Sequence, residues 1–455
     1  MTPTASAAQE PGRRLLEGEN PQAPFLWSQG IMLRAQEFLG STLAVARCLP
    51  HAGNVVNLCE RRDLFLVGWC AAVLRGQTNL LPPFHAPATV AQVREAWPDS
   101  YLLDDGAVQR LLTWSHPPVT PMELPPVSAQ HIVQIAFTSG STETPRGYAK
   151  RWGELWCSSA CNAARIRACL ASRYGDARPG IVATVSPQHM WGAETTVLLP
   201  LLEGMAVHAG RPLFPADVAE ALEQMPEPRV LVSAPVHLRA LLAAGTPLPR
   251  LGVVVSATAP LDAATATAVE QAWDAPVLEM FGSTKTCAIA SRLAAREPAW
   301  RLYPGVTIDP RPDHTLVTAP WFRQPMPLRD VVELDAAGRM KVVGRNVDRI
   351  EIAGKRASLT DLTRRLQAIA GVQDAVVFQP SPEETAHSGI AGVRRVAALV
   401  AAPDLTASEI SQRLAAGIDP VFLPRPLVLM TRLPRNAAGK LERQALLQAA
   451  FGTTL

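Results

Sequence analysis

The chain is short of the features that mark most specialised protein classes. It has no excess of charge of one sign. Its 43 Lys and Arg oppose 40 Asp and Glu for a net charge of +3, which excludes nucleic acid or an anionic membrane as the main electrostatic partner. Its 7 cysteines are odd in number and show no C-x-x-C spacing with histidines nearby, so neither a disulfide framework nor a zinc site is indicated. Reduced thiols in a cytoplasmic protein are the simplest reading. Cys157 and Cys161, one helical turn apart, read as small core residues rather than metal ligands. A long hydrophobic run is also lacking. The longest uncharged apolar stretch, Leu64 to Leu74, falls short of the ~20 residues of a membrane span, and the N-terminus MTPTASAAQEPGRR has no apolar signal core. No G-x-x-x-x-G-K-[ST] loop occurs, including at Gly354-Lys355 and Gly439-Lys440, which argues against a P-loop NTPase.

What is present is ordinary globular composition, 48% hydrophobic and 18% charged over 455 residues, enough for two or more domains. Residues up to about Pro21 read as a flexible tail. Beyond it, helix and strand patterns alternate. A helix over Asp63 to Arg75 precedes a short strand at Asn79 to Leu81, stopped by Pro82 and Pro83. A strand over Ile132 to Phe137 leads through a polar loop to a helix carrying Leu155, Ala160, Ile166 and Leu170. Strands at 181–185, 230–232, 251–255 and 277–280 then alternate with helices at 236–244 and 263–273. This predicts an α/β protein with parallel-rich sheets flanked by helices, whose ligands gather at the C-terminal ends of strands. After Tyr303 the texture becomes β-rich, and from Asp348 a compact α+β segment follows. The expected division is a large domain over 1–346 and a small mobile domain over 347–455.

One loop stands out. Phe137 to Gly147 reads FTSGSTETPRG and packs Thr138, Ser139, Gly140, Ser141 and Thr142 before Pro145 and Arg146. Small residues let backbone N–H groups approach oxygen atoms closely, hydroxyls add donors, and an arginine adds a bidentate cation, a set suited to polyphosphate. Taken alone, the same composition also fits a surface turn.

Five further stretches accompany it in order: Ser186 to Gly192 (SPQHMWG), Ser256 to Leu261 (SATAPL), Phe281 to Thr286 (FGSTKT), Asp330 with Gly344 to Asp348 (GRNVD), and Leu433 to Arg443 (LPRNAAGKLER). Together the six resemble the adenylate-forming superfamily of acyl-CoA synthetases, aryl acid ligases and adenylation domains. The stretch from Asn57 to Pro83 looks most like ligases of aryl polyene and xanthomonadin-type pigment pathways, which load a hydroxylated aromatic acid onto an acyl carrier protein.

The resemblance implies ATP and Mg²⁺ as cofactors, an aromatic carboxylic acid as substrate, and an acyl carrier protein or coenzyme A as acceptor. It implies nucleotide contacts from Thr138, Ser139, Gly140, Ser141, Thr142, Arg146, Ala257, Thr258, Ala259, Phe281, Gly282, Ser283, Asp330 and Arg345. The acid would meet His189, Trp191, Gly192 and Ser256. Lys440, Thr284 and His189 would be catalytic, and Asp348 would be the hinge. Fixed cations suit this chemistry, because negative charge builds on the phosphoryl oxygens when a carboxylate attacks the α-phosphorus of ATP.

Two departures matter. Glu143 stands where the family has glycine, and Lys285 stands where it has a Mg-associated glutamate; Arg146 for lysine and Cys287 for glycine are milder changes. Glu143 and Lys285 form a compensating pair, or Lys285 supplies charge to the phosphates, or Glu143 holds the metal from the opposite loop. Loss of catalysis in a nucleotide-binding protein is the remaining alternative.

Overall fold

The structure, a computed structural model, describes residues 12–16, 20–28, 30–82, 85–114, 124–138, 146–311, 314–328, 330–345, 349–352, 355–381, 384, 395–436 and 439–452. The chain packs as two compact units, Met1–Thr307 with Thr318–Met326, and Ile308–Val317 with Pro327–Leu455.

Among the described residues the first unit contains two large sheets. One has five strands, in the order Ser100–Leu103, Asn54–Asn57, Thr78–Leu81, Ile132–Thr138 and Arg146–Arg151; the first four are parallel and the last is antiparallel. The other has nine, in the order Arg301–Leu302, Cys287–Leu293, Val277–Ser283, Val253–Ser256, Arg229–Ser233, Gly180–Ala183, Ala206–His208, Pro24–Ser28 and Ile31–Arg34. Its six central strands are parallel, and antiparallel strands close both sides. The central strands are short, continuous apolar runs such as Val253 to Val255, all fully buried, as expected where helices cover both faces. The α/β expectation is therefore met.

Helix Arg62–Leu74 is buried along almost its whole length, so it lies inside the unit rather than on its surface. Its residues reach both sheets. Trp69 Nε1 donates to Gln134 Oε1 of the five-stranded sheet at 3.1 Å. Arg62 donates to the carbonyls of His208, Gly210, Ala183 and Val185 in and just beyond strands of the nine-stranded sheet, at 2.5 to 3.2 Å. Burial, reinforced by the nearby positive charge of Arg211, pushes the Arg62 guanidinium down to about 9.

The hydrophobic pattern left several elements unread. Strand Pro24–Ser28, helix Ala35–Cys48 and the three-residue strand Ala206–His208 were not expected. Strand Arg146–Arg151 intervenes between the polar loop and helix Trp152–Tyr174, because the chain doubles back as a hairpin before entering the helix. Cys157 and Cys161 are only partly buried, which corrects their reading as core residues. Among the described residues no helix is long and apolar enough to cross a membrane.

In the second unit, Asp330–Leu334 pairs with Met340–Arg345, and Arg349–Ile352 pairs with Lys355–Ser358. Asp374–Phe378, Ala397–Ala401 and Leu427–Met430 form a three-stranded sheet. Helices Leu359–Gln367 and Ala407–Ala415 begin where Ser358 and Thr406 accept from the backbone N–H three residues on, each satisfying an otherwise orphaned helical donor.

Two outcomes follow for stability. Arg62→Met strands four buried carbonyls and is expected to cost about 3 kcal/mol in urea denaturation. His85, His131, His208 and His237 are half-buried, and burial lowers each from the usual 6.5. The unfolded chain then binds more protons than the folded one just below that value. Melting temperature is expected to fall as pH drops from about 7.5 to about 5.5, and an unchanged melt across that window refutes the assignment.

Candidate active site

The polar loop is the tip of a β-hairpin. Register places Thr138 opposite Arg146 and Phe137 opposite Gly147, so the ends of the loop are held together by sheet pairing. Ser139, Gly140, Ser141, Thr142 and Glu143 lie outside the described residues, and the Glu143–Lys285 pair with them. Gly147 is required by packing, since a Cβ there would meet Ile135 Cγ2 at 2.8 Å.

The stretch Phe281 to Thr286 is a second hairpin turn, joining Val277–Ser283 to Cys287–Leu293 with Ser283 opposite Cys287. Its hydroxyls lock it. Ser283 N donates to Thr286 Oγ1 at 3.1 Å, Thr286 N donates to Ser283 Oγ at 3.2 Å, and Thr286 Oγ1 donates to the Cys287 carbonyl at 2.9 Å. A Cβ on Gly282 would lie 2.0 Å from that carbonyl, so only glycine fits. Cys287 takes φ +57°, the left-handed region that favours glycine, and is buried there. Thus the cysteine carries backbone strain that the family's glycine would not.

Ser186 to Gly192 turns tightly after strand Gly180–Ala183. Gly192 packs on the Ser186 carbonyl, where a Cβ would sit at 1.8 Å. His189 precedes helix Met190–Ala193 and is half-buried. Trp191 is buried, and its indole Nε1 has no hydrogen-bond partner. The helix continues into a π-turn, Glu194–Leu198, that begins at Glu194.

Glu194 was not singled out from sequence, and neither was Lys150; both are 2% exposed. Glu194 Oε1 accepts from Ser158 Oγ at 2.8 Å, Asn162 Nδ2 at 3.3 Å and Ala288 N at 3.0 Å. Burial raises its carboxyl, while the Ala288 N–H, Ser158 and Lys150 oppose that rise. The Lys150 ammonium donates to the main-chain carbonyl of Lys285. One buried polar centre thus joins strand Arg146–Arg151, the 281–286 turn and the helical segment following Ser186 to Gly192. An acid inside the apolar run MWGAETTVLL was the available signal for Glu194; Lys150 had none.

A second ion pair sets the Ser256 to Leu261 segment. Glu279 Oε1 accepts from Leu261 N at 3.0 Å, and its other oxygen pairs with Arg292 at 2.7 Å. The Arg292 guanidinium lies 4.6 Å from the Trp300 ring centroid, and Trp300 packs on Phe281 at 5.3 Å. Within the segment, Ala257 is buried and Ala259 half-buried, whereas Thr258 is exposed at φ +79°, a strained position for a β-branched residue. Ser256 is fully buried, and its Oγ has no partner.

In the second unit Asp330 and Arg345 stand directly opposite each other across two strands, and the Asp330 carbonyl accepts from Thr315 Oγ1 at 2.8 Å. Lys440 is exposed on a tight turn. Asn436 N donates to its carbonyl at 2.8 Å, Gly439 takes φ +76°, and Arg435 fastens the base to Asp374 through two bonds of 2.7 and 2.9 Å. Asp348 lies outside the described residues.

The fit of a divalent metal to the 281–286 turn is poor. Between Phe281 and Cys287 the side chains offer hydroxyls and one ammonium but no carboxylate, and Glu194 is enclosed by three donors. Among the described residues no group of three or more His, Cys, Asp or Glu could hold a metal ion.

Comparison with known proteins identifies the family. The AMP-binding enzyme family matches residues 64–318. A 4-coumarate–CoA ligase of Halorhodospira halophila is 28% identical over 333 residues, 69% of this chain and 76% of that protein. Vanchrobactin synthetase VabF of Vibrio anguillarum is 33% identical over 126 residues; the match takes 26% of this chain and only 4% of that much longer protein. Among solved structures, o-succinylbenzoate CoA synthetase (MenE) from Bacillus subtilis, in complex with its acyl-adenylate, superposes with a TM-score of 0.78 at 16% identity, covering 94% of this chain and 95% of that one. With this family match over more than half of its length, and with a fold in accord, the chain belongs to the AMP-binding enzymes, the adenylate-forming ligases.

Proposed function

We propose that this ligase activates a hydroxylated aromatic carboxylic acid as its acyl-adenylate and transfers the acyl group to the phosphopantetheine thiol of an acyl carrier protein. The observation that carries the substrate class is a pair of buried, unpartnered polar atoms, Trp191 Nε1 and Ser256 Oγ. Buried polar groups in folded proteins nearly always have partners, so two orphans beside the acid-binding turn suit a ligand that brings polar substituents. Strands Gly180–Ala183 and Val253–Ser256 flank Arg229–Ser233.

The roles follow from charge. The substrate carboxylate attacks the α-phosphorus, the bond to pyrophosphate breaks, and the phosphoryl oxygens gain charge that a cation stabilises. Lys440 supplies that cation, and Asp330 accepts from the ribose hydroxyls beside Arg345. The hairpin over 138–146 receives the polyphosphate through its backbone N–H groups and Arg146, with Thr284 beside it. His189 orients the acid, and Phe281, backed by Trp300, covers the adenine. A second reading, with free coenzyme A as acceptor, is favoured by the names of the similar 4-coumarate–CoA ligase and o-succinylbenzoate CoA synthetase. Both readings place the reaction in the cytoplasm.

Pyrophosphate release with a panel of benzoic and cinnamic acids tests the first half-reaction. Hydroxylated acids are expected to exceed unsubstituted ones by about tenfold in kcat/KM, and Trp191→Phe to remove most of that preference. No release with any acid leaves only a nucleotide-binding role. Lys440→Ala is expected to lower adenylation by at least about 100-fold, and an unchanged rate removes Lys440 from the reaction. Supplying carrier protein and coenzyme A separately, and following thioester formation, decides the acceptor.

A further inference from the structure

Lys150 is an ammonium in the interior, on the strand that leaves the phosphate hairpin. Burying a lysine costs several kcal/mol unless paired, and an apolar side chain would serve the strand as well. What the ammonium adds is direction. It donates to one carbonyl, that of Lys285, and is attracted by Glu194, which is itself tied to the next strand through Ala288 N. The carbonyl so held belongs to the residue just before Thr286, whose hydroxyl closes the turn, so the backbone of Lys285 is fixed from both sides.

The side chain of Lys285 starts from this held backbone and reaches toward Tyr148. Its Nζ lies 5.5 Å from the ring centroid of Tyr148, which sits on the hairpin strand between Arg146 and Lys150. The ammonium is therefore on the hairpin side of the turn. The carboxylate of the buried centre, Glu194, is occupied by Ser158, Asn162 and Ala288.

We infer that the Lys285 ammonium, set in place by Lys150, is the fixed positive charge this turn offers to the nucleotide polyphosphate, in place of a carboxylate-held metal ion. Lys150 is a positioning residue that acts through the Lys285 carbonyl. The inference rests on the nucleotide-binding reading of the hairpin and adds to it an affinity for ATP that is almost independent of divalent metal.

Calorimetric titration of the full-length protein with ATP, once with Mg²⁺ and once with EDTA, tests it. The two dissociation constants are expected to agree within about threefold. Lys285→Glu is expected to weaken metal-free binding by at least about tenfold and to make binding Mg²⁺-dependent, while Lys285→Met weakens both by a similar factor. Lys150→Met is expected to weaken metal-free binding and to lower the melting temperature, because the Lys285 carbonyl loses its donor and the buried Glu194 carboxylate loses a nearby positive charge. Adding Glu194→Gln to it is expected to restore the melt but not the metal-free affinity. Wild-type binding that needs Mg²⁺ by more than about tenfold overturns the inference while leaving the nucleotide reading intact. Recovery of affinity together with stability in the double variant makes Lys150 merely structural and overturns its positioning role. Absence of ATP binding under both conditions overturns the nucleotide reading as well.

Discussion

A lysine ammonium and a glutamate carboxylate, each 2% exposed, form the constraint on which the arrangement of the candidate site in the first unit depends. Lys150 and Glu194 come from elements far apart in sequence, and their partners include Lys285, Ala288, Ser158 and Asn162. Each is held by its own hydrogen bonds, Lys150 to the Lys285 carbonyl and Glu194 to Ser158, Asn162 and Ala288, and losing such a bond to a buried charged group costs about 1.5 to 3 kcal/mol. Three segments spread over more than a hundred residues of sequence are thereby held in one geometry. Catalysis by electrostatic preorganisation needs such rigidity, because donors that must reorient lose their advantage when charge develops.

Three other charged residues act in the same manner. Glu279 and Arg292 fasten Leu261 to the strands beyond it, and Arg62 caps carbonyls at the ends of two parallel strands. Arg62 and Glu279 act at the C-terminal ends of parallel strands, on the carbonyls of Ala183 and His208 and opposite Ser256, where open α/β sheets place their ligands. The backbone there is also unusual. Thr258 and Cys287 have positive φ, and Gly192 and Gly282 sit where no Cβ fits. Strain and close packing gathered in the same segments as the motifs mark them as functional more firmly than composition does.

Much of the fold was legible because its parallel strands are continuous apolar runs bounded by turn residues. Strands 229–233, 253–256 and 277–283 and the intervening helices fall where periodicity puts them. Strand Arg146–Arg151 was not legible: RGYAKR has no apolar alternation, and its pairing depends on a partner strand. Strand Ala206–His208 is too short to show a period. At the site, the glycines, hydroxyls and Lys440 announce themselves through local composition, whereas Lys150 reads as one more surface base until the fold buries it.

The sequence by itself determined the class of chemistry. Six segments in order, each a local pattern of small, hydroxyl-bearing or cationic residues, carry it, and local patterns survive without knowledge of the fold. It also determined that Lys285 stands where a metal-binding acid is usual. Only the tertiary structure decided what that lysine is attached to. Direction and burial are properties of packing, and no spacing along the chain reveals that Lys150 grips the Lys285 carbonyl or that Glu194 Oε1 accepts from Ser158, Asn162 and Ala288. A residue's charge is written in its identity, but the place where that charge acts is set by its neighbours in space.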